Sequence, residues 1–195
     1  MTGLNRPARS AWPPVGRTPP DRPSPLTSAA EWSAYGEPAA PRPHTPAELD
    51  ALLRLLTRPQ ARIEIIAVGH SRDPASRNAA DALIRAWEGL DRKTVRTVVD
   101  WPEQAASWLR PARRFAAGPP DAWVVAAAGR GWAELSRRLR RDTEWAPDRT
   151  YGFASLADPR TIAYAGQGTL NGLRGAAADG TTWSVDGNWL TGQVL

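Results

Sequence analysis

The sequence predicts an α/β lobe: a single Rossmann-like, three-layer unit with a mainly parallel sheet, a C-terminal hairpin and a disordered, proline-rich N-terminal arm. Three observations carry this. Short apolar runs recur at residues 63–68, 94–99, 122–127 and 151–156, their starts 31, 28 and 29 residues apart. Each gap holds an amphipathic helical pattern. That is the beat of strand–helix units, whose crossover helices return the chain to a parallel neighbour. Prolines crowd the first 60 residues, among them Pro13-Pro14, Pro19-Pro20 and the alternating Pro38, Pro41, Pro43 and Pro46.

Proline lacks a backbone donor and disfavours both helix and sheet, so residues 1–44 read as the arm and residues 45–195 as the lobe. Beyond residue 60 the chain runs on for roughly 135 residues. That is enough for one core burying about two thirds of its unfolded surface. A leading helix is signalled over residues 46–58. Thr45 can cap it, Pro46 takes its first position and Glu48 completes a capping box. Leu49, Leu52, Leu53 and Leu56 form one stripe before Pro59 stops it.

The first strand, residues 63–68, is almost continuously apolar, as a strand covered on both faces must be. It is expected to end in a polar turn, Gly69-His70-Ser71-Arg72. A helix then starts at Asp73-Pro74, turns Ala80, Leu83, Ile84 and Trp87 inward, and stops at Gly89. The second strand alternates more, which suits a place near an edge. The next helix is expected from about residue 102 to 117, with a kink or break at Pro111. Residues 122–127 are the most apolar run and should be central. Gly129-Arg130-Gly131 leads into a helix with Trp132, Leu135 and Leu139 inward. After the fourth strand, Asp158-Pro159 starts another helix, ended by Gly166 or Gly168. Asp186-Gly187 between two tryptophan-bearing segments signals a two-residue hairpin.

Composition narrows function mainly by exclusion. The net charge is +5, about +2 before residue 60 and +3 after it, and arginine supplies 24 of the 25 positive charges. This fits GC-rich codon usage rather than a concentrated basic surface, so nucleic acid is not the expected partner. The one dense cluster, Arg137-Arg138 with Arg140-Arg141, suits a solvated helix C-terminus. The absence of cysteine removes disulfides, thiolate metal sites and thiol catalysis. No run approaches the ~20 apolar residues of a membrane span, and no signal peptide is visible, so the expected location is cytoplasmic. The histidines are His44 and His70 alone, and no phosphate loop, nucleophile elbow or dinucleotide fingerprint follows a strand. The chain is expected to be neither an enzyme nor dependent on a metal or cofactor.

What remains is geometry. In open α/β sheets ligands sit beyond the carboxyl ends of the strands, where helix N-termini present N–H groups. Three segments qualify: residues 69–72, 128–130 and 155–158. His70, Ser71 and Arg72 offer an imidazole, a hydroxyl and a guanidinium beside a helix start. Residues 70, 129 and 155 should therefore share one end of the sheet. N–H groups near Asp73 and Gly131 should point into a crevice made electropositive by Arg72 and Arg130.

The order of segments resembles the C-terminal lobe of type I periplasmic binding proteins, the substrate-binding components of branched-chain amino-acid ABC transporters. The likeness rests on the strand, polar turn and helix through residue 88, and on the strand Pro120-Asp121-Ala122-Trp123-Val124-Val125-Ala126. It continues in Ala165-Gly166 through Leu170, Gly172 and Leu173, and spans roughly residues 60–178. It implies reversible, non-catalytic capture of an amino acid or other small anionic metabolite. The implied contacts are His70, Ser71 and Arg72, then Ala128 and Gly129 with the neighbouring Arg130, then Ser155. Members of that family close two lobes on their ligand, whereas here a proline-rich arm stands in front of one. The other reading is a regulatory module that recruits a protein partner through extended proline-rich segments such as residues 17–23.

Overall fold

The computed structural model describes residues 29–193. Five parallel strands form the body of the sheet: β1 (Ile65–Ser71), β2 (Thr94–Trp101), β3 (Ala122–Ala126), β4 (Thr150–Gly152) and β5 (Arg174–Ala176). An antiparallel hairpin, β6 (Thr182–Asp186) and β7 (Trp189–Gln193), extends it, giving the order β2-β1-β3-β4-β5-β6-β7. As their alternation and apolarity suggest, β2 lies at an edge and all five β3 residues are buried.

Two helices cover one face and three the other. Helices α2 (Pro46–Leu56) and α3 (Pro74–Glu88) press Leu52, Leu56, Leu83 and Trp87 onto Ile66, Val68 and Val124. On the opposite face lie α4 (Leu109–Ala116), α5 (Gly129–Asp142) and α6 (Pro159–Ala165). They enclose Trp101, Trp108, Phe115, Trp123, Trp132 and Trp145. Ala67 faces this second cluster while its neighbours Ile66 and Val68 face the first, the strict alternation of a strand buried on both sides. Trp87 and Trp132 are core, as their helical spacing predicts, and Trp108 is buried with them although it precedes α4 instead of lying on a helix.

Several boundaries differ from the sequence expectation, each for a local reason. β1 runs on to Ser71 and pairs His70 and Ser71 with Asp100 and Trp101, so these two residues belong to a strand end rather than a turn. β4 stops at Gly152, and Ala154–Leu156 winds into a 3-10 turn, because its partner β5 is only three residues long. α2 ends at Leu56, short of Pro59. Residues 102–108 are not helical. Helix α4 begins at Leu109, which places Pro111 in the first turn, where the missing N–H has no helical acceptor to satisfy. The hairpin loop is Gly187-Asn188 rather than Asp186-Gly187, since Asp186 pairs with Trp189.

The arm divides in two. Residues 1–28, with the proline pairs and the 17–23 stretch, lie outside the described residues. Ala29–Tyr35 forms a short helix, α1, whose Tyr35 ring meets Tyr164 of α6 edge-to-face at 5.5 Å. Residues 36–44 then run without helix or sheet, as their prolines dictate, but they lie against the lobe. No helix among the described residues is long and apolar enough to cross a membrane.

Candidate functional site

The carboxyl ends of β1, β3 and β4 share one end of the sheet, as parallel pairing demands. Ser71 ties them together. Its buried hydroxyl donates to Asp73 Oδ2 at 2.5 Å, accepts from the Ala128 N–H at 2.8 Å and lies 3.0 Å from the Ser76 hydroxyl. Asp73 in turn caps α3 through the Ser76 N–H at 2.9 Å. These polar groups tie β1, α3 and the start of α5 together.

The expected electropositive field is largely neutralised from within. Arg72 Nε donates to Asp100 Oδ2 at 2.6 Å, and the carboxyl is held below its ordinary range mainly by that bond. Arg130 lies 3.9 Å from Glu37. The N-terminus of α5 is already engaged by a side chain, because the Gly131 N–H donates to the Glu103 carboxyl at Oε2, 3.1 Å away. His70 places Nδ1 2.9 Å from the Ser71 carbonyl. So His70, Ser71, Arg72, Ala128, Gly129 and Arg130 are gathered at the strand ends as expected, but their polar groups are engaged with the protein itself.

Open space lies beside them, toward α2 and α6. A cavity of about 280 Å³ sits over the ends of β3 and β4, with Ala126, Phe153, Ser155 and Ser76 on the lobe side. Ser155 is the one sequence-predicted residue among the seven that lines it. The opposite wall is the extended segment, with Pro41, Arg42, Pro43 and His44. This strap is held by Tyr164 Oη donating to the Gly36 carbonyl at 2.7 Å, and by Arg160 donating to the Glu37 carbonyl at 3.1 Å. The Ala39 N–H also donates to Asp158 Oδ2 at 3.0 Å. Pro38 lies against Gly129, where an added Cβ would come within 2.8 Å of the proline ring. At the far end the His44 ring meets Phe153 edge-to-face at 6.1 Å, and Thr45 Oγ1 donates to the Ala178 carbonyl at 2.5 Å.

Glu48 joins the strap's end to the cavity wall. It closes the capping box of α2 by accepting from the Thr45 N–H, and its other oxygen accepts from the Ala154 N–H at 2.5 Å. The sequence showed the capping box but not the second bond, which spans 106 residues. Burial raises the Glu48 carboxyl above its ordinary 4.5, against the lowering effect of the Ala154 and Thr45 N–H groups. Glu103 is raised likewise, first by burial, with the Asp73 charge adding to it and the Gly131 N–H opposing it.

The sign of the pH effect follows. A carboxyl whose folded pKa is raised binds its proton more tightly in the folded chain, so its stabilising contribution is complete below about 4.5 and lost as pH rises through the folded value. Asp100 acts the other way, and only as pH falls below its ordinary 3.8. Glu103→Gln should therefore be least damaging near neutral pH and most damaging, relative to wild type, at about pH 4, below the carboxyl's ordinary value. Calorimetric Tm values at the two pH values test this, and parallel shifts in both proteins would rule it out.

Among the described residues no three histidine, cysteine or acidic side chains converge on a metal-sized point. No protein-family model matches the sequence, and no curated protein matches it. Solved structures do. A putative branched-chain amino acid ABC transporter from Rhodospirillum rubrum is similar over 67% of this chain and 36% of its own, at 20% identity and a TM-score of 0.55. A substrate-binding periplasmic protein from Ralstonia solanacearum is similar over 75% of this chain and 40% of its own, at 17% identity and a TM-score of 0.58. A protein from Rhodopseudomonas palustris gives 68%, 36%, 16% and 0.56 for the same quantities. The chain thus spans well under half the length of each. The resemblance to substrate-binding proteins of branched-chain amino-acid ABC transporters, expected from the order of segments, is present in the fold of this lobe.

Proposed function

We propose that the chain is a non-catalytic lobe that reversibly captures a small anionic metabolite, an amino acid or another carboxylate, in the cavity over β3 and β4. The observation that carries this reading is the cavity's position and lining. It lies beyond the carboxyl ends of parallel strands, where open α/β sheets take their ligands. It is lined by Arg42, Ser76 and Ser155 together with Glu48 and Asp158, so both signs of charge that an amino acid carries find a counterpart there. Its volume of about 280 Å³ is at the low end for ligand sites and suits a metabolite rather than a cofactor. The fold shared with substrate-binding proteins supports the same class of role.

The charge that decides ligand class is then Arg42 rather than Arg72. Arg72 is paired with Asp100 and does not line the cavity. Thermal shift with amino acids and small carboxylates at millimolar concentration tests the reading. At least one should raise Tm. Arg42→Glu should weaken that compound about tenfold or more, as charge reversal beside a partly desolvated anion does, while Arg72→Glu leaves it nearly unchanged. If no compound moves the wild-type Tm, binding is lost as a function of this cavity.

A further inference from the structure

We infer that residues 36–44 are a displaceable gate, which walls the cavity on one side, brings Arg42 to its lining and swings aside to admit the ligand. This rests on the binding role proposed for the cavity and adds its regulation. The strap is built to be held weakly. Between Gly36 and Pro43 it contains no apolar side chain larger than proline, and only Pro38 and Pro41 are more than slightly buried. Its attachment is polar: the bonds from Arg160 and to Asp158 are exposed, and the Glu37–Arg130 pair spans 3.9 Å with Glu37 80% exposed. Segments with few apolar contacts and solvent-exposed bonds open locally, far below the free energy of global unfolding.

The two ends differ in kind. The His44 end is continuous with α2, whose capping box and Glu48–Ala154 bond fix it to the lobe. The Gly36 end depends on Tyr164 and Arg160, which do not line the cavity. The gate therefore swings from its His44 end when the α6 contacts let go, the Tyr35–Tyr164 ring contact of the adjoining α1 among them, and losing the Tyr164 and Arg160 bonds makes that release easier. Because Arg42 and His44 belong to the gate, a ligand that draws its counter-charge from Arg42 is bound in full only when the gate is shut. Affinity and closure are then one equilibrium, with the free protein's open fraction setting the rate of admission.

The absence of cysteine makes the test direct. Ala126→Cys in the full chain places a sole thiol on the cavity floor, under the strap, where the added sulfur has the cavity to occupy. Its rate of modification by methyl methanethiosulfonate then reads opening. Adding Tyr164→Phe and Arg160→Ala removes two strap bonds while keeping the Tyr35–Tyr164 ring contact, and should speed labelling about tenfold with little change in Tm. An unchanged labelling rate overturns the gate. Should the cysteine variant fail to fold, hydrogen exchange of the Ala39 amide in the cysteine-free chain decides the matter. Exchange faster than that of β3 amides, and faster still in the double variant, supports the gate; exchange only with global unfolding overturns it. L-Glutamate and L-leucine serve as probes. If neither slows labelling, yet the rate still rises in the double variant, the gate stands and the amino-acid reading of the cavity falls.

Discussion

Trp132→Ala should cost about 3–5 kcal/mol, a large share of the stability of a domain this size. Trp132 is fully buried on α5, stacks on Trp101 at 6.2 Å and meets Trp145 edge-to-face at 5.8 Å. It thus joins the end of β2 to the loop that follows α5. Truncation removes a large apolar surface and leaves a cavity walled by two rings and a helix, which cannot collapse without moving β2. Trp132→Phe is the informative companion. The indole N–H has no acceptor among the described residues, so phenylalanine gives up packing but no hydrogen bond. It should cost no more than about half as much. Urea unfolding followed by far-UV circular dichroism measures both. Equal losses for Phe and Ala would mean that a phenyl ring keeps none of the packing on Trp101 and Trp145 and that the site requires the whole indole.

Much of this arrangement was legible in the sequence because burial writes itself as periodicity. Trp132, Leu135 and Leu139 share a helix face, and all three are buried. The run at residues 122–127 is apolar throughout because β3 is covered on both sides. What stayed hidden has no periodicity to show. β5 is Arg-Gly-Ala, three residues whose strand character comes from pairing with β4 and β6. The strap is a run of glycine, alanine, proline and charged residues that composition alone assigns to a disordered arm. Its order comes from bonds to Asp158, Arg160 and Tyr164, which lie 119 to 128 residues away. The candidate site failed to emerge whole for the same reason. Ser155 could be placed at a strand end by counting, but Arg42 and His44 reach the cavity through a tertiary contact that no local pattern encodes. Arg72 looked available because its partner Asp100 lies on the adjacent strand, 28 residues away.

Gly175→Ala should be as damaging as a core truncation, although it adds only a methyl group. Gly175 of β5 pairs with Gly152 of β4, and the Trp183 ring lies over the two. A Cβ on residue 175 would fall 2.0 Å from the Gly152 carbonyl oxygen and 2.4 Å from the Trp183 ring. The first contact is with backbone, so no rotamer change relieves it; β4 and β5 must separate or Trp183 must leave its place. Overpacking of this kind costs about 1–3 kcal/mol, and a backbone clash belongs at or beyond the upper end. Gly192→Ala is the control. It too is a strand glycine, but its added Cβ meets nothing within 4 Å, and the lost chain entropy of the unfolded state should leave it neutral or slightly stabilising. The damage at Gly175 should also reach the cavity. β4 leads through Phe153 into the turn that carries Ser155 and donates the Ala154 N–H to Glu48. Displacing β4 should therefore speed hydrogen exchange at Ala154 more than at β1 amides. Equal Tm values for the two glycine variants would show that the β4–β5 pair has slack the geometry does not reveal, and would detach the cavity wall from the packing beneath it.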